Sequence, residues 1–140
     1  VEWIFKSEST RAIDGNKTYD TWQNGYLQVF RYVELNHDFV FSVYHSVCRT
    51  HLEQFLYEET FALLMSVVNE KADCMLVREE DKKFIADFYK YAFVGIILEW
   101  IRTGMKENPE HIIYHLGILI QGDISKALDK YQKDSKNRKK

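Results

Sequence analysis

The sequence predicts an all-α domain, and three observations carry that expectation. Apolar residues recur at steps of three and four almost throughout the 140 residues, and no segment alternates convincingly with period two. Glycine (6) and proline (1) are too scarce for a turn-rich β-sandwich or a linker-rich chain. The aromatic content (9 Phe, 9 Tyr, 3 Trp) excludes intrinsic disorder. A chain of this length is expected to be one domain or one piece of a larger protein. It buries roughly two thirds of its unfolded surface, so it needs no disulfide or metal to hold together.

The elements follow in order. Trp3 to about Ala12 is a short amphipathic helix that stops at the turn Asp14-Gly15-Asn16. From Thr18 to about Leu35, Tyr19, Trp22, Tyr26, Val29, Phe30 and Val33 form one apolar stripe. Asn36-His37-Asp38 interrupts it, with Asp38 as the expected cap of a second helix from Phe39 to about Val47. A third runs from Thr50 to Asn69 through Leu52, Phe55, Leu56, Leu64 and Val68, with a candidate bend at Glu58-Glu59-Thr60, and Lys71-Ala72-Asp73 reads as a loop. The next helix, Glu79 to Thr103, stops at Gly104, a residue suited to the left-handed position after a helix end. Asn108-Pro109-Glu110 then supplies a cap, a proline at the first helical position and an acid in the first turn. The final helix is expected to continue to about Tyr131.

The last two helices are apolar on too many sides. At about 100° per residue, Phe84, Phe88, Tyr91, Ala92, Gly95 and Leu98 make one face. Ile85, Tyr89, Phe93, Ile96 and Trp100 make a second, with Val94, Ile97 and Ile101 on a third. The final helix repeats the pattern with Ile112, Leu116, Leu119 and Ile120 on one side and Ile113, Gly117, Ile124 and Leu128 beside it. A terminal hairpin cannot easily be covered all round by its own chain, whereas a second copy covers it as a four-helix bundle about a two-fold axis. The expected dimer surface is therefore Phe88, Tyr91, Ala92, Gly95 and Leu98 on one helix, and Ile112, Leu116, Leu119 and Ile120 on the other.

The net charge of −2 excludes a generally basic nucleic-acid binder. The local exception is the tail, where Lys133, Lys136, Arg138, Lys139 and Lys140 gather; residues 133–140 read as a basic, solvated, disordered end to a domain spanning 1–132. Cys48 and Cys74 form no CxxC pair, and the reading is of a cytoplasmic protein. The longest strongly apolar run, Tyr91 to Leu98, ends at Glu99, far short of the about 20 residues that a membrane span needs. The opening Val1-Glu2-Trp3-Ile4-Phe5 looks like the middle of a helix, so the chain is expected to be an excised fragment.

Catalytic motifs lack support. His45, Cys48 and His51 have spacing H-x2-C-x2-H, a metal arrangement only if one helix runs unbroken through all three. His111 and His115 stand at the i, i+4 step of a metal pair, but Ile112 occupies the place where the protease motif needs Glu. Both sets read as ordinary helix residues. Glu58-Glu59 and Glu79-Glu80-Asp81 point their neighbours too far apart for an acid/base dyad, and the second run suits a helix start. Glu99, next to Trp100, pairs with Arg102 or Lys106 at an interface rim or anchors a ligand, with the rim favoured. No phosphate-cradling or nucleophile motif is present, so no catalytic, metal or cofactor residue is assigned. Trp22, Tyr26 and Phe30 on one stripe, with Phe61, Met65, Tyr89 and Phe93 on others, could line a cavity for a small apolar or aromatic ligand or belong to a solid core.

The stretch FYKYAFVGIILEWIRTGMKENPEHIIYHLGILI, Phe88 to Ile120, resembles the C-terminal signature of TetR-type bacterial transcriptional regulators. In one subgroup a helix ends in G-x4-W-(I/L)-x2-G and a Pro-Glu-capped helix follows; Gly95, Trp100, Ile101, Gly104, Pro109 and Glu110 match it. The opening VEWIFKSES resembles the helix that joins such a family's DNA-binding and regulatory domains. The resemblance implies an effector-binding and homodimerisation domain, with DNA bound only by an N-terminal helix-turn-helix that this chain lacks. Within the family the sequence is similar to regulators of dihydroxyacetone kinase operons, some of which respond to a partner protein. The alternative reading is a helical module with a solid core that binds a partner protein, and a helical metalloenzyme has only the histidine spacings behind it.

Overall fold

The computed structural model describes residues 22–138. Among them are six helices and no strand: α1 (Trp22–Leu35), α2 (His37–Tyr44), α3 (Arg49–Lys71), α4 (Glu79–Arg102), α5 (Pro109–Ile120) and α6 (Asp123–Arg138). The expected all-α class holds. The helix expected over Trp3–Ala12, the turn after it and the expected start at Thr18 lie outside the described residues.

Helices α3 and α4 form the central pair; α1 crosses onto α3 and α5, α2 onto α3 and α4, and α6 onto α4. The sequence explains why α4 sits in the middle. Ile85, Phe93, Val94, Ile97, Trp100 and Ile101 supply buried positions on two adjacent faces, so neighbours can pack on both. Tyr26, Phe30, Phe55, Leu52, Leu56 and Leu64 fill the space against it, all essentially inaccessible to solvent.

Two boundaries differ from the sequence reading for local reasons. The cap of α2 is Asn36 rather than Asp38, which lies one residue inside the first turn; the Asn36 amide reaches back to donate to the Tyr32 carbonyl at 2.9 Å, tying off α1. The helix then ends at Tyr44, leaving Val47 almost fully exposed between α2 and α3. Helix α3 passes through Glu58-Glu59-Thr60 without a break, and Thr60 is buried.

The corner between α4 and α5 is built as the sequence suggests. Thr103 ends α4 and Gly104 takes φ +89°, where a side chain would be strained. The Gly104 amide donates to Ile101 at 3.0 Å and the Met105 amide to Trp100 at 2.8 Å, the paired bonds of a Schellman end. The Asn108 side chain accepts from the Glu110 amide at 2.9 Å, with Pro109 buried at the first helical position. The indole N–H of Trp100 donates to the Glu107 carbonyl at 2.8 Å and fastens the loop to α4.

The single final helix expected to reach Tyr131 is instead two. Gln121 is extended and Gly122 takes φ +81°, so the chain turns before α6 begins at Asp123. The signal was Gly122 followed by Asp123, a helix-ending residue and then an acid suited to a new first turn. Residues 133–138, read as a disordered tail, continue α6 as helix.

Candidate functional site

Helix α4 carries two apolar faces with opposite environments. On the inner one, rings from α1 and α4 pack edge to face or, for Tyr26 and Phe93, tilted at 37°. Trp22 stands 5.3 Å from Phe93, Tyr26 stands 4.5 Å from Phe93 and 4.9 Å from Phe30, and Phe30 stands 4.9 Å from Trp100. The Tyr26 hydroxyl donates to the Phe93 carbonyl, and burial pushes that hydroxyl's pKa well above its ordinary value. Four of the residues expected to line a pocket (Trp22, Tyr26, Phe30 and Phe93) therefore come together as one cluster. The other three do not join it. Phe61 lies below the Lys90 ammonium at 5.6 Å, Met65 is half-buried at the edge of the core, and Tyr89 looks toward α6. There its pKa is raised by burial and by the Asp123 carboxylate.

The outer face is open. Phe84, Phe88 and Tyr91 each keep more than half of their surface exposed, and a Cβ at Gly95 would meet no atom within 4 Å among the described residues. Leu98 is half-buried. Across from them on α5, Leu119, Ile118 and Tyr114 are exposed as well. Helices α4 and α5 diverge from the Gly104 corner, and the space between them is a groove of about 710 Å³. Tyr91, Ala92 and Gly95 form one wall, Ile112, Leu116 and Leu119 the other, and Trp100 closes the corner end.

The residues expected at a dimer surface thus share this groove or its flank, with two qualifications. Leu116 turns inward and is buried. Ile120 borders a different, much smaller cavity of about 90 Å³ beside Trp22, Gln23 and Ser125. Large exposed apolar faces of this kind are the ones on which proteins associate.

Polar groups mark the corner end of the groove. Glu99 accepts two hydrogen bonds from the Arg102 guanidinium, one at 3.0 Å from Nε, and this pairing holds its carboxyl below the usual carboxylate range. Of the two partners expected for Glu99, Arg102 and Lys106, Arg102 is the one it meets. Thr103, Glu107 and His115 also border the groove and were not singled out from the sequence as a group. A signal existed: His111 and His115 stand one turn apart on α5, and Glu107 lies four residues before His111, in the loop that leads into the helix. Glu107 itself precedes the Asn108 cap and so falls outside the helical period. The other histidine set is divided. His45 follows the end of α2, Cys48 precedes the start of α3 and His51 lies in α3, so the unbroken helix that its spacing required is absent.

Two ties link α1 to the groove helices. Besides the Tyr26–Phe93 bond, Arg31 bridges Glu34 on its own helix at 2.9 Å and Glu110 on α5 at 2.8 Å. Helix α1 is therefore bonded to both walls.

The fold thus has a sealed aromatic side and an open apolar side. Residues 20–122 match the TetR-type family described as "Transcriptional regulator C-terminal region". The match covers most of the chain, and the chain belongs to that family. No curated protein and no solved structure matches it significantly. The matching residues of the signature now have physical roles in the structure: Trp100 and Gly104 build the corner, Pro109 and Glu110 start and tether α5, and Gly95 keeps the groove wall low. No described helix is long and apolar enough to cross a membrane.

Proposed function

We propose that this chain is the effector-sensing and homodimerising part of a TetR-type regulator, with DNA read by a helix-turn-helix outside residues 1–140. The observation that carries the reading is the α4–α5 groove and its exposed flank, an apolar surface that a second copy would cover about a two-fold axis. Phe88, Tyr91, Ala92, Gly95 and Leu98 would meet the partner from α4, and Ile112 and Leu119 from α5, with Leu116 as the buried floor beneath them. The effector, a small apolar or aromatic molecule, acts at the ring cluster of Trp22, Tyr26, Phe30 and Phe93, with Phe61, Met65 and Tyr89 around it. Separating those rings would move α1 against α4 and α5 through the Tyr26 and Arg31 ties. Such a shift alters the spacing of two DNA-reading heads, which must meet half-sites about 34 Å apart.

Light scattering on a size-exclusion column at micromolar protein tests the dimer. The expected mass is twice 16.7 kDa. A monomer over the whole concentration range would remove the proposed interface.

One observation favours a second reading, in which the effector is a protein. The rings on the inner side are in van der Waals packing, whereas the larger space is an open groove. In that case small aromatic compounds leave the emission of Trp22 unchanged, as judged against Trp22→Phe. Saturable quenching lost in that variant favours the small-molecule reading.

A further inference from the structure

We infer that His111 and His115 form a two-nitrogen chelating site for a divalent cation of the nickel or copper class, at the corner end of the α4–α5 groove. The two rings stand one turn apart on α5, and their Nε2 atoms face each other at 3.0 Å. The Glu107 carboxylate lies 3.2 Å from Nδ1 of His111. A carboxylate can only accept, so Nδ1 of His111 carries the proton, and in the neutral ring its Nε2 presents a lone pair toward His115. A carboxylate behind a ligating histidine is the arrangement that fixes ring orientation and raises ligand basicity at metal sites.

Without metal, His115 satisfies that lone pair by donating its own Nε2–H. On binding a cation the proton moves to Nδ1 of His115, both Nε2 lone pairs turn to the ion, and no proton is released from the pair. The spacing suits nickel or copper. A cation about 2.1 Å from both nitrogens would see them about 90° apart, the angle between adjacent positions in octahedral or tetragonal geometry; tetrahedral zinc would want them about 3.4 Å apart. Among the described residues no group of three or more His, Cys, Asp or Glu converges, so water fills the remaining positions. His111 and His115 are both exposed, and the ion has free access. The inference does not rest on the effector reading; His115 borders the groove that the proposed dimer covers, so the exposure stated is that of the single chain.

Isothermal titration of the chelator-stripped chain, carrying no affinity tag, with Ni²⁺ tests it. Saturable binding is expected, weakened at least about tenfold by His111→Ala or His115→Ala and about tenfold by Glu107→Gln. His45→Ala is expected to leave it unchanged. Binding that survives in His115→Ala, or that is equally reduced in His45→Ala, overturns the site, as does the absence of saturable binding. Should either alanine variant lose the fold by circular dichroism, the unaltered chain still decides. Paramagnetic Ni²⁺ must broaden the ring-proton resonances of His111 and His115 first, and initial broadening at His37, His45 or His51 rules the site out.

Discussion

The two sides of α4 are nearly identical in composition and opposite in fate. Phe93 is fully buried between Trp22 and Tyr26, while Phe88, five residues earlier on the same helix, keeps 65% of its surface exposed. Side-chain chemistry does not separate these two phenylalanines; position around the helix does. The inner side is satisfied by the chain's own α1 and α3, and the outer side is left for something else. Apolar surface on a helix therefore reports how much must be covered, and the neighbours decide which part is covered within one chain.

The largest effect expected from this contrast is at Phe93. Phe93→Ala should cost about 3–5 kcal/mol in urea unfolding, since it empties the centre of the ring cluster. Phe88→Ala should change unfolding of the isolated chain by less than about 0.5 kcal/mol, the range of surface substitutions. Equal losses would dissolve the distinction between the sides. The second effect belongs to assembly alone. Gly95→Leu meets open space within the chain, so circular dichroism should be unchanged, while the proposed dimer weakens by about 1–3 kcal/mol from overpacking of its interface. An unchanged dimer mass would sink the role given to Gly95.

A smaller effect is expected where both sides are joined. Asn108→Ala removes the α5 cap and should lower stability by about 1 kcal/mol, read as a lower urea midpoint with the same slope. The smallest concerns the exposed Glu99–Arg102 pair. The Arg102 hydrogen bonds lower the Glu99 pKa, so that contribution is present above the unfolded-state pKa and lost as pH falls through the folded-state value. In Arg102→Ala the Glu99 carboxyl should titrate at higher pH by NMR, with no measurable change in unfolding at neutral pH because both groups are exposed.

Much of this was legible in the sequence. The helical period exposed the apolar faces of α4, and Gly104 and Asn108-Pro109 marked the corner to the residue, because helix ends are decided by local chemistry. What period cannot give is the identity of the neighbour. The faces of Phe88 and Phe93 are equivalent on a helical wheel, and only the placement of α1 breaks the tie. The unbroken final helix failed for a different reason: the apolar pattern continues across Gly122 through Ile124 and Leu128, so the period hid the turn while the backbone preference of one residue made it. Glu107 lies outside the helical period, and its side chain reaches His111 from the loop, a contact that periodicity does not register.

The fastening of the loop by Trp100 has a consequence for how fast and how tightly anything can settle on the outer side. With the indole bonded to Glu107, Gly104 locked in its turn and α5 capped, the angle between the two walls is set when the chain folds. A surface arriving at the proposed interface would then meet a preorganised seat and dock as a rigid body, the ordering entropy that a loose hairpin would lose on association having already been spent in folding.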